Sequence, residues 1–325
     1  MWVEIEQPPY REVSSERNNS SPEAHSPLPM GLAARSLYHL ARFARRLSAV
    51  HQEGDLRRTT DKKQYRTWRN RELEQQLTLH FDARAIVGKD VLDFGCGTGE
   101  LCQIMASLGP RSLTGMDQSA EAIRRASESC CLGATIEPVA FVCNENEPSI
   151  PISDESVDLI CCFDVVEHLS CPNAVLSEWH RVLRPGGRVW VWWSAWRGPF
   201  GHHLESLLPL PWIHLCCAER TIFQACAALY DHPDFVPRHW DLDPTTGVKK
   251  PNKWWTTTSF YPFLNKLTRK KFEDYVRCAG LNITRREIHG FRGSRLRRAT
   301  RALLPIPIVG DCVTSFYVYE LGKPS

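Results

Sequence analysis

Val91-Leu92-Asp93-Phe94-Gly95-Cys96-Gly97-Thr98-Gly99 is an apolar run that ends in a carboxylate and breaks into three alternating glycines. Val91 and Leu92 read as a buried strand, and Gly95, Gly97 and Gly99 as a turn where backbone approaches a ligand closely. Helix formers resume at Glu100, so the turn opens a helix. A dinucleotide-binding turn is spaced G-x-G-x-x-G and offers its amides to a pyrophosphate. Here the third glycine comes one residue early and Asp93 stands at the mouth of the turn, where it repels a diphosphate and suits a positively charged ligand. Asp117 follows Gly97 by twenty residues, the distance at which an acid closing a second strand grips ribose hydroxyls.

Strands and helices alternate outward from this turn. Strands are expected near 89–94, 111–116, 138–143, 157–162 and 187–194, and helices near 99–108, 119–130 and 172–183. This alternation predicts an α/β fold with a doubly wound, mostly parallel sheet. Arg184-Pro185-Gly186-Gly187 reads as a tight turn that stops a helix and starts the fifth strand. Further on, a helix over 267–279 has Thr268 as its cap and Gly280 as its stop. A sixth strand is expected at 281–288, a basic helix at 294–304 and a seventh strand at 313–321.

The glycine turn with Asp93, the acid Asp117 and the Arg-Pro-Gly-Gly turn together resemble class I S-adenosylmethionine (SAM) methyltransferases. The resemblance is strong over 63–194 and moderate over 267–321, and it implies a seven-stranded sheet whose last two strands form an antiparallel edge. It implies SAM as cofactor, with Asp93 and the turn Gly95, Cys96, Gly97 and Gly99 seating the methionine part and Asp117 the ribose. Gln118 is expected beside the adenine, and Asn146 in the place where such enzymes commonly set an acid or amide against the adenine amino group.

After the fourth strand the chain reads Asp164-Val165-Val166-Glu167-His168-Leu169. Open parallel sheets bind ligands at their carboxyl edge. If the segment is helical, 164, 167 and 168 share one face. The pattern is similar to the Glu-x-x-Glu-His motif of ubiquinone-pathway O-methyltransferases and of small-RNA 2′-O-methyltransferases, where it binds a divalent metal. Three roles are open: a metal site completed by His202 or His203, a metal-free base formed by Glu167, His168 and His203, or plain pocket lining.

Five regions are expected. Residues 1–30 form a polar disordered tail, 31–85 an N-terminal helical extension, 86–194 the SAM-binding core, 195–266 an insert after the fifth strand, and 267–325 the rest of the core sheet. The insert is too long for a plain connection and reads as a substrate-binding lid, rich in aromatic rings suited to flat or unsaturated substrates. Over 31–52, Leu37, Leu40, Ala41, Ala44 and Leu47 fall at helical spacing among arginines. Such a helix either docks on the core or makes peripheral contact with an anionic membrane.

A net charge of +3 and scattered basic residues argue against nucleic acid as partner. The 13 cysteines are odd in number and include no C-x-x-C pair, and no apolar run reaches a membrane span, so a cytoplasmic setting is expected. The function expected is methyl transfer to a small, largely apolar acceptor, for example in secondary metabolism, at oxygen with a His/Glu base. Carbon methylation of a phenolic, polyketide or prenyl compound needs the same base. A reading of another class is a non-catalytic SAM-binding scaffold or regulatory protein.

Overall fold

The computed structural model describes residues 30–49, 61–130, 139–243, 245–291, 300–306 and 308–325. The expected tail over 1–29 and most of the basic helix expected over 294–304 lie outside them; of that helix Thr300 and Arg301 are described as helical.

The expected α/β fold is present. Seven strands, β1 (Asp90–Phe94), β2 (Ser112–Asp117), β3 (Ala140–Cys143), β4 (Val157–Phe163), β5 (Leu183–Ser194), β6 (Asn282–Gly290) and β7 (Thr314–Gly322), lie in the order β3-β2-β1-β4-β5-β7-β6. The first five are parallel, and β7 runs antiparallel between β5 and β6. The order reverses beside β1, so the turns after β1 and β4 lie on either side of the crevice where such sheets bind ligands.

Helices α1 (Leu32–Ala49) and α2 (Lys62–His80) precede the sheet, and α3 (Glu100–Ala106), α4 (Ala120–Cys130) and α5 (Pro172–Val182) connect the parallel strands. Asp61 caps α2 by accepting from the Lys63 and Gln64 amides. Alternation along β5 sends Trp190 and Trp192 to the face covered by Leu73, Leu77, Leu101 and Met105, and Val189, Val191 and Trp193 to the face covered by Trp179 and Phe272. Both faces of this strand are buried, which is why it reads as a nearly continuous apolar run.

One expected boundary moved. The fifth strand begins at Leu183, paired with Val157, and pairing resumes with Arg188 opposite Leu159. Arg184-Pro185-Gly186-Gly187 is therefore a bulge inside the strand, held from β7 by hydrogen bonds from Gly186 N to Lys323 O and from Lys323 N to Gly187 O.

The insert carries α6 (Ile213–Cys216) and α7 (Glu219–Tyr230), and α8 (Arg269–Cys278) returns the chain to the sheet. Leu204, Leu208, Ile222, Phe223, Cys226, Leu229, Phe260 and Leu264 give the insert an apolar cluster of its own. Helix α1 packs into that cluster through Leu37 and Ala41, whereas Leu40, which the spacing assigns to the same stripe, is exposed. The N-terminal helix thus docks on the insert. Leu37→Ala leaves a cavity there and should cost about 2–5 kcal/mol, read as lost hydrogen-exchange protection in α7.

Candidate active site

β1 ends at Phe94, and the chain turns through Gly95 at φ 80°. A Cβ at Gly95 would overlap the Val165 side chain from the turn after β4, so only glycine lets the two turns meet. The Gly95 and Cys96 amides both donate to Met116 O, at 2.8 and 2.9 Å. Asp117 Oδ2 accepts from Gly97 N and Oδ1 from Ser119 N, both at 2.9 Å. Each oxygen keeps a lone pair, so Asp117 braces the glycine turn and still offers two acceptors to a ligand. Gly99 caps α3, with Ala126 close behind it. Asp93 is buried and accepts from Cys102 Sγ at 3.0 Å; burial pushes its carboxyl up to about 7.

Two cavities flank this turn. One, about 320 Å³, is bounded by Asp93, Gly95, Cys96, Gly97, Glu100 and, from α2, Tyr65 and Arg69. The other, about 240 Å³, is bounded by Gly95, Asp117, Gln118, Asn144, Glu147 and His168. Asn146 is exposed and lies outside this wall. Asn144 and Glu147 border the cavity instead. The Asn146 carbonyl accepts from Ser149 N in a tight turn, and Glu147 Oε1 accepts the Ser170 and Cys171 amides at the start of α5.

The residues after β4 do not form the helix that puts 164, 167 and 168 on one face. Asp164 adopts φ 59°, and a single 3₁₀ turn follows over Val166–His168. Asp164 pairs instead with Arg69 Nη2 at 2.8 Å. Arg69 also binds Glu72, and these two carboxylates outweigh its burial and hold its guanidinium firmly charged. Asn265, at the end of the insert, fixes the 3₁₀ turn: its Nδ2 donates to Val166 O and Leu169 O, and its amide to Glu167 O.

Glu167, His168 and His203 are brought together, with donor atoms within 4.8 Å of one another. Glu167 is buried, its Oε1 accepting from Ser194 N at 3.1 Å, while Oε2 has no hydrogen-bond partner among the described residues. Burial, and then the Asp164 charge, raise its carboxyl to about 8. His203 Nε2 lies 4.0 Å from Glu167 Oε1; desolvation and then His168 lower its imidazole to about 3. His168 Nδ1 lies 2.7 Å from Phe263 O, so it carries the proton and Nε2 is left as an acceptor. The loop that delivers His203 needs Gly201, where a Cβ would strike Trp196 O. His202 is structural: its Nδ1 accepts from Leu204 N and its Nε2 donates to Leu210 O.

A third cavity, about 1170 Å³, opens between the core and the insert, bounded by Tyr65, Trp68, His168, His203, Trp240, Trp254 and Phe263 among others. It shares His168 with one cavity of the glycine turn and Tyr65 with the other. The sequence reading missed Tyr65, Arg69, Asn144, Glu147 and Asn265. Tyr65 and Arg69 had a signal, because Tyr65, Arg69, Leu73 and Leu77 recur every four residues and so form one helical face with the buried leucines. Asn265 had none, since its partners lie nearly a hundred residues away.

Residues 92–191 match the sequence profile of a methyltransferase domain family. A ubiquinone biosynthesis O-methyltransferase of Burkholderia vietnamiensis is 35% identical over 114 residues, 34% of this chain and 45% of that protein. An uncharacterized methyltransferase of Mycobacterium ulcerans is 30% identical over 135 residues, 42% and 51% of the two chains. The chain thus spans about half the length of the curated relatives it matches. Among solved structures, a geranyl diphosphate methyltransferase in complex with SAM overlaps 78% of this chain and 85% of its own, at 14% identity and a TM-score of 0.47. A putative sarcosine dimethylglycine methyltransferase from Galdieria sulphuraria overlaps 80% and 86%, at 13% identity and a TM-score of 0.47. The matched stretch, residues 92–191, is similar to a methyltransferase domain and spans most of strands β1 to β5 of the doubly wound sheet.

Proposed function

We propose that the protein methylates an oxygen of a small, largely apolar acceptor, with SAM as donor and a proton acceptor drawn from His168, Glu167 and His203. The observation that carries this reading is the shared wall: His168 borders both the cleft of the glycine turn and the large aromatic cavity. SAM supplies a methyl group on a cationic sulfur, already activated for in-line displacement. The chain's task is to align, to exclude water and to accept a proton.

Asp117 offers its two free lone pairs to vicinal hydroxyls, and Gln118, Asn144 and Glu147 offer polar contacts to a heterocycle. Arg69 suits the carboxylate end of an amino acid, and Asp93 and Glu100 suit its ammonium. On the acceptor side His168 Nε2 is oriented by the Nδ1–H bond to Phe263 O. Burial favours the neutral forms of both Glu167 and His203. The same three side chains suit a divalent ion, because the partnerless Glu167 Oε2 and two imidazoles form a zinc-type donor set. An ion held there would polarise the acceptor oxygen. Asp164, engaged by Arg69, belongs to neither arrangement.

Three measurements test this reading. Asp117→Ala should weaken SAM by about 1.5–3 kcal/mol in calorimetric titration, and unchanged affinity overturns the ribose assignment. In a methyl-release assay on phenolic and prenylated acceptors, His168→Ala should lower turnover by about 10²–10⁴-fold at constant SAM affinity. Loss of wild-type activity with EDTA and its return with Mg²⁺ or Zn²⁺, together with weakened metal binding in His203→Ala, assigns the trio to a metal; indifference to EDTA assigns it to a base. Full turnover in both His168→Ala and His203→Ala overturns the protein base. SAM binding without transfer to any acceptor favours a scaffold instead.

Stability against pH tests the buried carboxyl separately. The Glu167 carboxyl stands near 8 when folded and near its ordinary 4.5 when unfolded, so from about 4.5 to 8 the unfolded chain binds fewer protons. Its contribution to stability is therefore full below 4.5 and lost as pH rises to 8. Glu167→Gln removes this loss, so its melting temperature relative to wild type should climb between pH 5 and pH 8.

A further inference from the structure

A second cluster of metal-ligating side chains lies where α2 meets the edge of the sheet. His80 is the last residue of α2, and Glu287 and His289 stand two apart on β6, so they share one face of that strand. His80 Nδ1 lies 2.8 Å from Glu287 Oε2, and His289 Nε2 lies 2.9 Å from the same oxygen. The donor atoms of all three lie within 4.8 Å of one another. The cluster shares no residue with Glu167, His168 and His203.

The surroundings hold these donors in place. His80 is buried, and the His289 ring stacks on Phe316 at 4.5 Å and 9°. Arg285 approaches the other carboxylate oxygen, with Nη1 3.4 Å from Glu287 Oε1, while its Nη2 donates to His80 O. Oε2 is thereby turned toward the two imidazoles. Outer partners that orient a carboxylate in this way are a regular feature of metal sites.

We propose that His80, Glu287 and His289 bind a divalent transition-metal ion, with zinc the best match to two imidazoles and one carboxylate. Metal–ligand bonds of about 2.0–2.2 Å with tetrahedral angles set donors about 3.4 Å apart. The present separations of 2.8 and 2.9 Å reach that by side-chain rotations of roughly half an ångström. Each histidine turns its lone pair to the metal by carrying its proton on the other ring nitrogen, and water completes the fourth position. Such an ion pins the C-terminus of α2 to β6. Arg69, which borders the glycine turn, lies on the same helix, roughly 16 Å along its axis from His80. The ion would therefore steady the helix that covers the donor cleft, whatever reaction the cleft performs.

The test uses the full-length protein, stripped with EDTA and desalted, then titrated with zinc chloride by calorimetry and with cobalt chloride by visible absorption. One equivalent should bind with intense tetrahedral cobalt bands, and zinc should raise the melting temperature by a few degrees. Affinity for that equivalent should fall roughly 100-fold or more in His289→Gln and in Glu287→Gln, and persist in His203→Ala. Glu287→Gln keeps the carboxylate's shape, and circular dichroism of each metal-free variant confirms its fold. Absence of binding in the wild type overturns the proposal. So does a binding stoichiometry that both edge variants leave unchanged, or a single equivalent that disappears in His203→Ala, which assigns the ion to the other trio.

Discussion

The site depends on one close approach, that of Gly95 to Val165. The turns after β1 and β4 meet there with no room for a side chain between them. That contact brings the glycine turn, braced by Asp117, against the turn that carries Glu167 and His168. Asp117 reinforces it by accepting from Gly97 and Ser119 while keeping lone pairs for a ligand. A methyl transfer tolerates little error in the distance between its two partners, so two turns locked in contact suit the chemistry.

Burial sets the electrostatics of this contact region. Asp93 and Glu167 are both withdrawn from water, and their carboxyls rise to about 7 and about 8, while His203 is pushed down to about 3. Each shift favours the neutral form, as expected where desolvation is the largest cause. Arg69 behaves differently because two carboxylates compensate its burial. The ion pair Arg69–Asp164 thus stands where the two cavities of the glycine turn meet.

The insert is more than a cover. It has its own apolar cluster, receives α1 as part of that cluster, and returns Asn265 and Phe263 to fix the 3₁₀ turn and the His168 ring. The position of this region is thereby tied to that of Glu167 and His168. The aromatic rings that line its cavity come from both sides, with Tyr65 and Trp68 on α2 and Trp240 and Trp254 on the insert.

Much of the fold was legible in the residues alone. The glycine turn, the period-two and period-3.6 patterns and the position of Asp117 determine the order of the elements, because each is a local property of the backbone. Seven strands were expected and seven are present, the fifth with Arg184–Gly187 folded into it as a bulge, since β4 pairs with residues on both sides of the glycines and Lys323, just past β7, bonds to the glycines themselves. The candidate site was legible as a local turn at Gly95, Gly97 and Asp117, whose spacing lets the Gly97 amide reach the Asp117 carboxylate. It was not legible where distant segments converge. Only the tertiary structure paired Asp164 with Arg69, brought His203 and not His202 to Glu167 and His168, and set Asn144 and Glu147, not Asn146, at the cavity wall. Those outcomes rest on which buried polar atoms find partners across long stretches of chain, and no local periodicity records that.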